Sequence, residues 1–261
     1  MDAAAWITIG LNVLMAAVYY AVGRVVGRRE VSEDAELAKK SFSGWWHALA
    51  AVTASGAVAT AIGSQELWGL SAFVAYLQTV LFIIIAAIGA LLYYFVYLFT
   101  GKRGTWKPIA IAYALYFIAF LYYLAAADPI GLKLADTGGQ ELEYANDLSD
   151  TAFAQVMGVL LLLPVILGAI GYVSLIRKVP DRSGHFRIGS VAGAFILWFG
   201  SSFLAGQILD VAQESWWQPV GTAIALGASA LVYVAFAPPA WLAKRLHIEG
   251  YGSPGAGDGS K

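Results

Sequence analysis

Seven long apolar runs separated by short polar segments dominate this chain, at about 4–23, 46–63, 70–99, 108–127, 152–176, 188–209 and 218–240. A helix that crosses the hydrocarbon core of a bilayer needs roughly 20 consecutive apolar residues, so each run predicts one spanning helix. The fold class that follows is an all-α integral membrane protein, a seven-transmembrane-helix bundle occupying 1–243, followed by a flexible tail over 244–261. Asp2 is the one charge before the first run, and no basic residue precedes it; that run therefore reads as a retained helix, not a signal peptide.

Composition supports the same class. Hydrophobic residues make up 59% of the 261 and charged residues 13%, and the mean hydropathy is +0.68, well beyond what a water-exposed surface tolerates. The 28 glycines and the absence of cysteine fit closely packed helices without a disulfide framework.

The charges set an expected orientation. Arg24, Arg28, Arg29, Lys39 and Lys40 fall in the first connection, Lys102, Arg103 and Lys107 in the third, Arg177, Lys178, Arg182 and Arg187 in the fifth, and Lys244, Arg245 and Lys261 in the tail. Of the 16 basic residues only Lys133 lies on the other side, together with most of the acidic ones. Because Lys and Arg near helix ends stay cytoplasmic, the N-terminus is expected outside and the C-terminus inside.

Most connections are short, which predicts sequential antiparallel neighbours. Two are longer. Residues 27–42 mix both signs at helical spacing and read either as a separate amphipathic surface helix or as a solvated linker. Residues 128–150 alternate Ile130, Leu132 and Leu134 before Asp136-Thr137-Gly138-Gly139, then Leu142 and Tyr144 after it. That pattern predicts an extracytoplasmic β-hairpin, placed as a lid over the outer mouth of the bundle.

Small residues every four positions mark expected helix contacts: Ala51, Ser55, Ala59 and Gly63 in the second run, Gly189 and Gly193 in the sixth, and Gly221, Ala225 and Ser229 in the seventh. Pro164 is expected to kink the fifth helix.

The search for chemistry yields mainly exclusions. A seventh helix that holds retinal carries a lysine at mid-membrane, whereas here Lys244 follows Pro238 and Pro239 and nothing acidic lies within 70–99. His47, His185 and His247 fall at or beyond the ends of the runs, so no pair is placed to ligate haem. His47, beside Trp45 and Trp46, reads as an interfacial residue flanked by anchoring tryptophans, or as one lining a cleft. No charged residue interrupts the runs to mark an ion path, and no catalytic or nucleotide-binding motif is present. The expectation is therefore no cofactor, no metal, no enzymatic activity and no nucleic-acid partner.

One polar arrangement remains. Asn12, Gln78, Gln155, Ser201, Ser202 and Gln207 fall in the middle or outer half of their helices, and Trp198 adjoins the two serines in the Trp198–Ser202 stretch WFGSS. These seven residues are the candidate ligand-binding set, an aromatic wall with a few hydroxyls and amides opening outward. Hydrogen bonding between helices is the competing role for the same side chains.

The stretch FAPPAWLAKR, residues 236–245, resembles the exit of the seven-helix sensor domain at the N-terminus of some bacterial histidine kinases, where a Pro-Pro-x-Trp-Leu turn leads into the cytoplasmic signalling part. YALYFIAFLYY and ILWFGSS are similar to stretches of uncharacterised bacterial seven-helix membrane proteins. The resemblance implies a receptor-like sensor in the bacterial inner membrane that binds a small apolar or amphipathic ligand from the outer side. This chain runs from LHIEG into YGSPGAGDGSK, so the expected signalling partner is a separate cytoplasmic protein. A structural or accessory subunit of a larger membrane complex is the alternative, and a facilitative transporter stands behind both, since no internal repeat is evident.

Overall fold

The computed structural model describes residues 3–65, 67–134, 140–146, 152–176, 179, 182–203 and 217–246. It is mostly helical. The long helices are α1 (Ala3–Gly27), α2 (Glu36–Gly63), α3 (Leu70–Thr100), α4 (Trp106–Ala127), α5 (Ala152–Ile176), α6 (Arg182–Phe203) and α7 (Trp217–Phe236), followed by the short α8 (Ala240–Leu246), which spans the expected 243/244 boundary. A β-hairpin, β1 (Pro129–Leu134) and β2 (Gln140–Tyr144), lies between α4 and α5. Four helices, α1 to α4, are long and apolar enough to cross a membrane among the described residues. This composition fits a multi-pass membrane protein.

The charged segment 27–42 forms no separate helix: 28–32 are an irregular connection and only the remainder is helical. After a 3₁₀ turn at Glu33–Ala35 it becomes the first turns of α2. Glu36 pairs with Lys39 at 2.7 Å and Lys40 at 3.6 Å, one turn on, while Ala38 and Phe42 turn inward. The helix therefore continues into the apolar run without a break.

α1, α2, α3, α5, α6 and α7 pack in that order into a ring that closes by α7 returning to α1, and α4 packs on α3 outside it. Sequential packing thus holds except at α4 and α5, where the long hairpin connection does not force adjacency and α3 packs against α5 instead. Two glycines of α5 make that crossing possible: a Cβ at Gly168 or Gly171 would collide with the rings of Phe95 or Phe99. Pro164 lies buried inside a continuous α5.

A second close crossing joins α1 and α2. Ser43 Oγ donates to the carbonyl of Gly23 at 2.8 Å, and Cβ atoms at Gly23 and Gly27 would stand 2.9 Å from His47 and Ser43 respectively. This is a GxxxG face that lets two backbones approach. The expected pair at Gly189 and Gly193 has no atom within 4 Å of a Cβ there. The seventh-helix face does turn inward, with Ala225 and Ser229 buried.

Trp45 and Trp46 are core residues, only 4% and 1% exposed, and not interfacial anchors. They join Tyr19, Phe42, Leu91, Phe95 and Val232 in the main core. His47 occupies the α1–α2 crossing, with Nδ1 2.9 Å from the Ser43 carbonyl and its ring edge-on to Tyr20.

The hairpin pairs antiparallel, with Leu132 opposite Leu142 and Lys133 opposite Glu141. A bulge between Pro129 and Gly131 takes Ile130 out of the inward row, so Ile130 is exposed while Leu142 is buried against Phe73 of α3 and Leu124 of α4. Asn146 fastens the base: its backbone N–H donates to Ala127 and its side-chain amide to Ala126, satisfying carbonyls at the end of α4. The hairpin is therefore docked on the α3–α4 pair.

Candidate functional site

The basic connections gather at one end. Arg103 holds Asp34 by an Nη2–Oδ1 contact of 2.8 Å and donates through Nε to its carbonyl, joining the third connection to the first. Arg29 donates to the carbonyl of Phe236 at the exit of α7, and Lys39 donates to the carbonyl of Arg29 at 3.0 Å. Burial, together with the neighbouring charge of Arg187, holds the Arg29 guanidinium below its usual range. At the opposite, hairpin end, Lys133 and Glu141 pair at 3.0 Å across the strands, which raises the Lys133 ammonium pKa.

A cavity of about 740 Å³ lies in the half of the molecule nearer the basic end. Its floor is Ile85, Ala86, Gly89, Ala90 and Tyr93 of α3, its facing wall is Trp106, Ile109, Ala110, Tyr113, Ala114 and Phe117 of α4, and Leu37 and Ser41 of α2 close one side. Alanines and a glycine on facing helices create the space. Gly89 marks the tightest approach, where a Cβ would stand 3.2 Å from Tyr113 Cγ. Ala86, Ala110 and Ala114 are exposed, so the cavity is a groove open along the outer flank of the helix pair. Its volume is that of an ordinary small-molecule site. The walls are nearly bare of polar groups. Ser41 Oγ is spent on the Leu37 carbonyl at 2.9 Å, whereas the buried hydroxyl of Tyr93 has no hydrogen-bond partner among the described residues.

Those sequence-predicted site residues whose side chains are described lie elsewhere. Trp198 stacks on Tyr19 with centroids 5.5 Å apart and leans on Trp46 at 6.2 Å. Ser201 Oγ donates to the carbonyl of Trp198 at 2.8 Å, within its own helix. Asn12 of α1 packs over Gly56 of α2, and Gln78 is half-buried on α3. None of these four lines the groove. Ser202 lies on α6 and Gln155 on α5, with side chains outside the described set, and Gln207 lies outside the described residues. The aromatic cluster around Trp198 has its own feature: Tyr19 Oη and the indole nitrogens of Trp45 and Trp46 are buried without a hydrogen-bond partner in the described structure.

The groove residues were missed because the sequence reading followed polar groups, and this site has almost none. The available signal was the pairing of small residues at 86, 89 and 90 with those at 110 and 114. Among the described residues no cluster of histidine and carboxylate side chains is placed to hold a metal ion.

These elements define a helical protein with four long apolar helices and an apolar groove at the basic end of α3 and α4. Compared with known protein families and with curated proteins, the chain matches none.

Proposed function

We propose that this chain is a receptor-like protein of the bacterial inner membrane, with seven spans, the N-terminus outside and the C-terminus inside. It binds a small apolar or amphipathic ligand in the α3–α4 groove and passes a helix shift to a separate cytoplasmic partner. The groove carries this reading, because it offers a preformed apolar volume beside contacts that link three parts of the chain. Trp106 in its wall lies three residues from Arg103, whose partner Asp34 belongs to the connection that also holds Phe236 through Arg29. A ligand that displaces the start of α4 therefore has a mechanical route to the exit of α7. The groove opens along a helix flank, so a ligand enters sideways from the bilayer rather than from the outer mouth.

The test is the ligand content of protein purified from native membrane. Ala110→Trp fills the groove from an exposed position, and Ile111→Trp places the same side chain on the exposed face beside it. Extracts of wild type and Ile111→Trp are expected to contain a stoichiometric organic ligand that Ala110→Trp lacks while melting at the same temperature. Wild-type protein without any such ligand refutes the reading.

The accessory-subunit reading has one observation in its favour: α4 packs on α3 outside the ring, so its face of Ile111, Leu115 and Tyr122, each more than 60% exposed, is open to lipid or to a second protein. A stoichiometric protein complex lost on Leu115→Arg supports that alternative.

A further inference from the structure

We infer that the occupant of the groove is an anionic phospholipid, drawn from the leaflet at the basic end. This rests on the reading of the groove as a ligand site and names the class of ligand. Three observations converge on it. The groove is long, apolar and open along its flank, so it suits an acyl chain that remains continuous with the bilayer. The chain next to its basic end carries free cations. Trp106 in the wall is flanked by Lys102 and Lys107, both exposed, and neither forms an ion pair among the described residues. Of the carboxylates in the first connection, Asp34 is engaged by Arg103 at 2.8 Å and Glu36 by Lys39 at 2.7 Å, with Lys40 at a loose 3.6 Å from Glu36, while Glu30 and Glu33 are exposed to water and pair with neither Lys102 nor Lys107 among the described residues. The third observation is Tyr93, a wall residue whose buried hydroxyl has no acceptor among the described residues. An unpaired donor is costly in an apolar setting, and a turn of the Tyr93 ring toward the groove brings its hydroxyl onto an ester or phosphodiester oxygen. A small free anion would use the lysines and leave the groove empty. A neutral lipid would fill the groove and leave the lysines unpaired.

The experiment offers full-length protein equimolar phosphatidylglycerol and phosphatidylcholine with identical acyl chains in vesicles. The protein is then extracted in mild detergent, and the retained lipids are quantified by mass spectrometry. Wild type is expected to retain phosphatidylglycerol in preference by roughly thirtyfold, the effect of two lysines near an anionic headgroup, and to lose that preference in high salt. The double variant Lys102→Gln, Lys107→Gln changes exposed positions only and is expected to retain both lipids equally. Tyr93→Phe is expected to lower retention of both. Equal retention by wild type overturns the anionic headgroup while leaving the groove as a ligand site. Absence of retained lipid in wild type overturns this inference. If a different organic ligand is then lost on Ala110→Trp, the groove reading survives without it. Melting curves on each variant separate lost binding from lost fold.

Discussion

His47 lies so close over Gly23 that a Cβ at residue 23 would stand 2.9 Å from its Cε1. The ring has little freedom to retreat, because its Nδ1 is 2.9 Å from the carbonyl of Ser43 one turn earlier. Gly23→Ala should therefore overpack the α1–α2 crossing and cost about 1–3 kcal/mol, seen as a lower melting temperature in detergent. Gly193→Ala, at a site with open space, should be neutral or slightly stabilising, since alanine loses less entropy in a helix. Equal effects at the two sites would show that sequence motif, not local packing, sets the cost.

Topology can be tested on a chain that has no cysteine of its own. Lys102→Cys at the basic end and Glu141→Cys in the hairpin are both exposed positions. In intact cells an impermeant maleimide should label Glu141→Cys alone, with Lys102→Cys reacting only after lysis. Labelling of both from outside refutes the proposed orientation.

Two tyrosines at different places in the core should respond oppositely to loss of a hydroxyl. Tyr172 Oη donates to Tyr94 Oη at 3.1 Å, so Tyr172→Phe should cost about 0.5–1.5 kcal/mol. Tyr19 Oη is buried with no hydrogen-bond partner among the described residues, so Tyr19→Phe should be neutral or stabilising by thermal unfolding. A clear loss at Tyr19 would mean that a water or ligand completes the aromatic cluster with Trp46 and Trp198.

The hairpin should depend on one side chain. Leu142 is 6% exposed, packed with Phe73 and Leu124, so Leu142→Ala should cost about 2–3 kcal/mol, the lower part of the range for buried leucines because the cluster is small. Ile130→Ala, at the exposed bulge, should cost far less. Proteolysis of the 128–150 segment in the two variants provides the comparison.

The two leucines of the hairpin show what could be read from the chain. Alternation around a turn signal gives strands because successive side chains point to opposite faces, and Leu132 does pair with Leu142. The bulge that exposes Ile130 has no such signature. The groove was hidden for a different reason. Ala86, Gly89 and Ala110 look like ordinary membrane-helix packing residues in sequence, and only the partner helix shows whether they are filled, as Gly89 is by Tyr113, or left as space. Of the expected polar pocket, Ser201 hydrogen-bonds within its own helix and Asn12 packs against Gly56, contacts that depend on the neighbouring turn and helix and not on residue type alone.

Helix positions, the hairpin and the division of charge between two ends were determined by the sequence itself, because each follows from local periodicity or from a side chain's affinity for water. The tertiary structure decided that α4 stands outside the ring, that Trp45 and Trp46 turn inward, that Gly23 and Gly27 rather than Gly189 and Gly193 make the close crossing, and that the groove lies at the basic end. Those outcomes depend on the fit between side chains far apart in the chain, and close packing discriminates among shapes that a one-dimensional apolar pattern leaves equivalent.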